Sequence, residues 1–181
     1  RRLNQALANT LSCNSQYLRQ ILQQYAQGKS DDLAYRLARR NAHNADAALS
    51  TTLANMLMEP GHFRKDADMG FRFLVLSHTL LSYLSGLGAH RGTELPAELR
   101  EQLIEGAGRR IADSIDQIAH GLSAKLPVPV QSDEEEKLAN ELEQMPDDID
   151  ENLRLVQTQL ALICRQLGPL RTLAAHLVKA P

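Results

Sequence analysis

Apolar residues recur at spacings of three, four and seven from the start of the chain, where Leu3, Leu7, Leu11, Leu18, Ile21, Leu22 and Tyr25 form one stripe. That period belongs to an amphipathic helix, and it predicts a helix over residues 3–26 that stops near Gly28. Ser30, followed by Asp31 and Asp32, offers an N-cap and negative charge for a second helix over 31–58, closed by Pro60-Gly61. Residues 68–87 are apolar nearly all round, through Phe71, Phe73, Leu74, Val75, Leu76, Leu80, Leu81, Tyr83, Leu84 and Leu87. Arg72, His78 and four Ser/Thr between Ser77 and Ser85 interrupt this run, so it predicts a central buried helix packed on several sides, not a membrane span, ending at Gly86 or Gly88.

Pro96 suits the first turn of a fourth helix, whose stripe of Leu99, Leu103, Ile104, Ala107, Ile111, Ile115, Ile118 and Leu122 continues to Lys125. Residues 126–131, with Pro127 and Pro129 alternating with Val, form an extended connector. Ser132 with Glu135 three residues on makes a capping box for a short acidic helix ending near Met145. After Pro146-Asp147, a seam of Leu153, Val156, Leu160, Ile163, Leu167, Leu170, Ala174 and Leu177 alternates spacings of three and four, with Gly168-Pro169 expected to kink it. The fold class is therefore all-α: one domain over 1–181, a bundle of about five or six long antiparallel helices. Residues 1–125 make a four-helix part, and 132–181 add the acidic helix and a long helix kinked near Pro169. Composition agrees, since 43% of residues are apolar while aromatics supply 4% and Trp is absent.

Charge narrows the functional classes. A net charge of −2 leaves no excess of cations for phosphate neutralisation, so nucleic acid is not an expected partner. The distribution is uneven: residues 1–50 carry seven Arg/Lys against three Asp/Glu, and residues 131–151 carry ten Asp/Glu against one Lys. On the second helix, Ala34, Leu37, Ala38, Ala42, Ala45, Leu49, Thr52, Leu53 and Met56 fall on one face, with Arg36, Arg39, Arg40 and His43 opposite and Asn44 and Asp46 flanking them. These six polar residues are the candidate binding or interaction site, because arginine forks carboxylates and phosphates bidentately. A solvated helix face would look the same. The acidic residues Asp133 to Glu136 and Asp147, Asp148, Asp150 and Glu151 sit at helix starts, where they serve as caps or dock against the basic stripe.

Catalytic chemistry is not expected. Ser12, Cys13, Ser77 and His78 have no nucleophile-elbow context, and His78 reads as a hydrogen-bonded core residue. His43 with Asp46 lacks the further ligands of a metal site, the calcium-loop spacing is missing, and no cofactor is implied. Cys13 and Cys164 show neither zinc nor disulfide spacing.

The segments LAYRLARRNAHNADAALSTTLANMLMEP (33–60) and FRFLVLSHTLLSYLSGLGAH (71–90) resemble the YccS/YhfK family of bacterial inner-membrane proteins, nearer its YhfK branch, within a superfamily that includes fusaric acid resistance proteins and aromatic acid exporters. The resemblance implies two groups of transmembrane helices elsewhere and a cytoplasmic C-terminal region, of which this chain would be part. An opening of Arg-Arg-Leu without Met, with helical periodicity already running at Leu3, fits a piece of a longer protein. The expected role is a regulatory or assembly domain of an efflux-type transporter. Its partners would be the membrane-spanning part, a second copy or anionic lipid headgroups. The alternative is a sensor that binds a small organic anion through the arginines of the second helix.

Overall fold

The computed structural model describes residues 2–60 and 64–179, the side chains of residues 64 and 65 excepted. Gly61, half of the expected Pro60-Gly61 stop, and Arg1 lie outside the described residues. The chain is all-helical, as its periodicity predicts: α1 (Arg2–Gln27), α2 (Leu33–Met58), α3 (Arg64–Ala89), α4 (Ala97–Arg100), a π-helical stretch (Glu101–Gly108), α5 (Arg109–Ala124), α6 (Asp133–Glu143), α7 (Glu151–Arg165) and α8 (Leu167–Lys179). α4, the π stretch and α5 run on as one rod, and only Gln166 separates α7 from α8. α1 and α2, α2 and α3, and α1 and α5 are antiparallel pairs, while α1 and α3 run parallel, Gly70 lying against Leu3 and Gly88 against Ile21. Thr10 of α1 meets the Ala45 carbonyl of α2, Gln5 of α1 reaches Ser123 near the far end of α5, and His78 of α3 bonds Asp46 of α2.

The apolar faces join in one hydrophobic core drawn from every long helix, with Leu7, Leu11, Leu18, Leu53, Leu84, Ile115 and Leu160 wholly buried. The central helix is α1, packed against α2, α3 and α5. The expected central helix, α3, touches α1, α2, α7 and α8 yet leaves Arg72, Val75, His78 and Ser82 exposed. α1 takes the centre because small polar residues lie between its leucines. Thr10 and Ser15 are buried, the first bonding the carbonyls of Ala6 and Ala45 and the second that of Ala112. Satisfied in this way, these two let neighbouring backbones come close, whereas Asn14 between them is buried with neither amide atom partnered among the described residues. His78, expected in the core, is instead two-thirds exposed, with its Nδ1 2.9 Å from Asp46 Oδ2.

Helix ends follow local chemistry with several shifts from expectation. Gly28 ends α1 in the left-handed region (φ +98°), donating to the Gln24 carbonyl at 2.8 Å. The N-cap of α2 is Asp32, which accepts from Ala34 N–H at 3.0 Å. Ser30, the expected cap, is instead held by Gln24. Gly86 and Gly88 do not end α3, which runs to Ala89; they are points of close approach, and at Gly88 a Cβ would lie 2.7 Å from the Tyr35 hydroxyl. Widening to a π-helix over Glu101–Gly108 interrupts the expected continuous fourth helix. Gly106 and Gly108 favour regular α-helix least there, and Leu22 of α1 presses to 2.5 Å of where a Gly108 Cβ would stand.

The acidic helix α6 starts at Ser132, whose Oγ accepts from Glu135 N–H at 3.3 Å, but the expected capping box is only half formed. Glu135 turns its carboxylate inward to Arg171 of α8 (Nη2–Oε2 2.8 Å, Nε–Oε1 3.0 Å), and accepts from Ser114 of α5 at 2.8 Å. Arg171 also donates to Gln117 at 2.7 Å and to the Pro129 carbonyl at 3.2 Å. This buried cluster clips the connector, α5, α6 and α8 together. The seam on α7 and α8 is internal, with Val156, Leu160, Ile163, Leu167, Leu170, Ala174 and Leu177 all buried. It is therefore core and not a face for a second subunit. The break in it falls at Gln166, upstream of the expected Pro169. Pro169 occupies the first turn of α8, where an N–H has no intrahelical acceptor to lose.

Candidate functional site

The site is built on α2. Tyr35, Ala38, Ala42, Ala45, Leu49 and Leu53 are its buried stripe, rotated slightly from the expected face: Leu37 is 50% exposed and Ala34 is exposed, while Tyr35 is buried. Tertiary partners decide this. The Tyr35 ring lies 5.9 Å from the Tyr17 ring and carries the Arg91 guanidinium 4.2 Å above its centroid, whereas Leu37 finds no such partner. The alanines let α1 approach closely along the rest of the stripe.

The six sequence-predicted residues do not form one site. Arg36, Arg40 and Asn44 point outward, and Arg36 forms an exposed pair with Asp31 at 3.4 Å. Among the described residues, no ion pair joins the acidic run of α6 or the residues before α7 to the α2 stripe. Asp150 caps α7 by accepting from Asn152 and Leu153, and Glu143 and Glu136 pair with Arg165. Asp46 faces inward, 17% exposed, on the seam with α3.

Arg39 and His43 instead line a cleft of about 490 Å³ with Tyr17, Ser85, Ala89, Arg91 and Tyr35. The His43 ring is 6.5 Å from that of Tyr17. Arg91 leaves the turn after α3 and folds back, its Nη1 donating to the Gly88 carbonyl at 2.9 Å. Its Nε is buried with no partner among the described residues. Burial first, and then the neighbouring Tyr35, push the Tyr17 phenol up to about 12, against smaller opposing effects of Ser85 and Arg39. Tyr17 therefore stays a neutral donor at physiological pH.

The lining is rich in donors. No acidic side chain lines the cleft, and neither arginine is paired with a carboxylate among the described residues. The two guanidinium groups can hold a negatively charged oxygen group, while the rings of Tyr17 and Tyr35 beneath them are buried. Sequence reasoning finds Arg39 and His43 but misses Arg91, Tyr17 and Ser85, which come from other helices. The one local signal was Gly88, whose missing side chain admits the hydroxyls of Tyr35 and Tyr17.

Comparison with known proteins gives partial matches. The chain is 47% identical over 91 residues to the inner membrane protein YccS of Escherichia coli (strain K12), an overlap of 50% of this chain and 13% of that protein. It is 35% identical over 146 residues, 79% of this chain, to an uncharacterized protein of Haemophilus influenzae, and covers 20% of that relative. An uncharacterized protein of Neisseria gonorrhoeae, ORF2, is 33% identical over 87 residues, 48% of this chain and 21% of its own length. The chain thus spans about a fifth or less of each of these relatives. No family model and no solved structure matches it.

Proposed function

We propose that this chain is an extramembrane regulatory or assembly domain of a larger inner-membrane transport protein, working on the cytoplasmic side. The observation that supports this above others is the similarity to YccS, an inner membrane protein, in a chain whose described residues include no helix long and apolar enough to cross a membrane. Kinship with the YhfK branch, and efflux of aromatic or other organic acids, extend the same reading through the family resemblance. With the α7–α8 seam turned inward, the outer face of α2 is a surface open to the membrane-spanning part, a second copy or anionic headgroups. Arg36 and Arg40 stand there beside the exposed Leu33 and Leu37.

The test uses the full-length protein with Ser50→Cys, an exposed position on α2, labelled by an impermeant thiol reagent in right-side-out and inverted vesicles. Transport is compared with and without this region. Labelling from the inverted side alone, with altered transport in a deletion variant that still inserts, is the expected result. Labelling from the outer side, or transport indifferent to the deletion, would overturn the reading.

A further inference from the structure

We propose that the cleft between α1, α2 and α3 is a binding site for a small organic carboxylate, held by Arg39 and Arg91 above a floor closed by the buried rings of Tyr17 and Tyr35. Its volume of about 490 Å³ lies in the range of small-ligand pockets, about 300–1,000 Å³. The inner arginine is set in place before any ligand arrives. Stacking on Tyr35 at 4.2 Å and the bond from Nη1 to the Gly88 carbonyl at 2.9 Å fix its plane, while Nε remains buried and unpaired. Arg39, exposed at the mouth, supplies the second fork.

Charge selects the ligand class. The two guanidinium groups face no carboxylate of the protein, and the other lining groups are neutral hydroxyls, an imidazole and a methyl group. One carboxylate, planar with two oxygens, matches a guanidinium fork and leaves a small organic body to lie against the exposed Ala89. Inorganic phosphate offers no such body. The tightness of the floor supports a built site: at Gly88 a Cβ would lie 2.7 Å from the Tyr35 hydroxyl and 3.4 Å from that of Tyr17, so any side chain there would displace them. A ligand in this place touches three helices and the turn after α3, and would tie them together. Its regulatory consequence rests on the function proposed above, while binding itself does not.

The experiment is thermal unfolding of the 181-residue chain with benzoate, succinate or inorganic phosphate, against sodium chloride at matched ionic strength. Arg39→Gln is compared with Arg40→Gln, a neighbouring exposed arginine that does not line the cleft; neither change touches the core. A saturable rise in Tm with a carboxylate is expected, about 3–6 °C at ten times Kd. Arg39→Gln should weaken binding at least tenfold and Arg40→Gln should leave it unchanged. Equal losses in the two variants would reveal general electrostatic attraction and overturn the site. So would stabilisation by phosphate alone, or flat curves with both carboxylates at 10-fold molar steps into the millimolar range. Saturable binding that leaves transport by the full-length protein unchanged would refute the regulatory reading and leave the site standing.

Discussion

Removing Arg171 should be among the most damaging single changes in this protein. Its side chain is 4% exposed and that of Glu135 is 9% exposed. The guanidinium makes three contacts of 2.8–3.2 Å to the carboxylate, and others to Gln117 and the Pro129 carbonyl. Arg171→Met keeps much of the packing but leaves Glu135 a buried carboxylate with only the Ser114 hydroxyl bonded to it. Loss of one partner from a buried pair costs about 3–5 kcal/mol, against a whole-domain stability of about 5–15 kcal/mol. Urea unfolding should show that loss directly, with a Tm lowered by on the order of 10 °C. The double variant Arg171→Met/Glu135→Leu should recover most of it, because the uncompensated charge is gone. The exposed pair Arg165–Glu143, 2.6 Å apart with side chains 33% and 47% exposed, is the internal control: solvent screens it, and Arg165→Met should leave stability little changed. A cost for Arg171→Met as small as that, or a double variant as unstable as the sum of the singles, would refute the view that this cluster clamps the connector and α6 to α5 and α8.

Gly121→Ala should destabilise by about 1–3 kcal/mol despite the better helix propensity of alanine, because its Cβ would stand 2.6 Å from Val128 Cγ2; equilibrium unfolding checks the sign. Leu167→Ala, in the buried seam, should lower stability by about 2–5 kcal/mol, seen as an earlier urea midpoint. Stability should also fall in alkali. Burial first, and Glu135 next, push the Cys164 thiol from 9.0 up to about 11. Its contribution is therefore fully present below pH 9 and lost as pH rises through about 11, since the unfolded chain ionises first. Urea midpoints measured from pH 7 to 11 should decline above 9, and less steeply in Cys164→Ala.

Much of this architecture was legible in one dimension. Leucine and isoleucine spacings located every long helix, Gly28 and the Pro127–Pro129 connector placed two of the breaks, and the alternation from Leu153 to Leu177 picked out residues that are buried. Such signals work because helix periodicity, capping and proline sterics act within one or two turns of chain. What the helices do to one another was not legible. Tyr35 outranked Leu37 for the buried face of α2 because Tyr17 and Arg91 come from α1 and from beyond α3. Glu135 left its capping role because an arginine 36 residues away was within reach. The break at Gln166 and the π stretch likewise depend on which neighbour each rod must accommodate. The candidate cleft shows the same division: α2 alone supplies Arg39 and His43 as two members of a polar stripe, and only packing against α1 and α3 separates them from Arg36, Arg40 and Asn44. Local sequence fixes where a helix runs and roughly which side is apolar, while the pairing of buried charges and the lining of a cleft depend on contacts between distant segments.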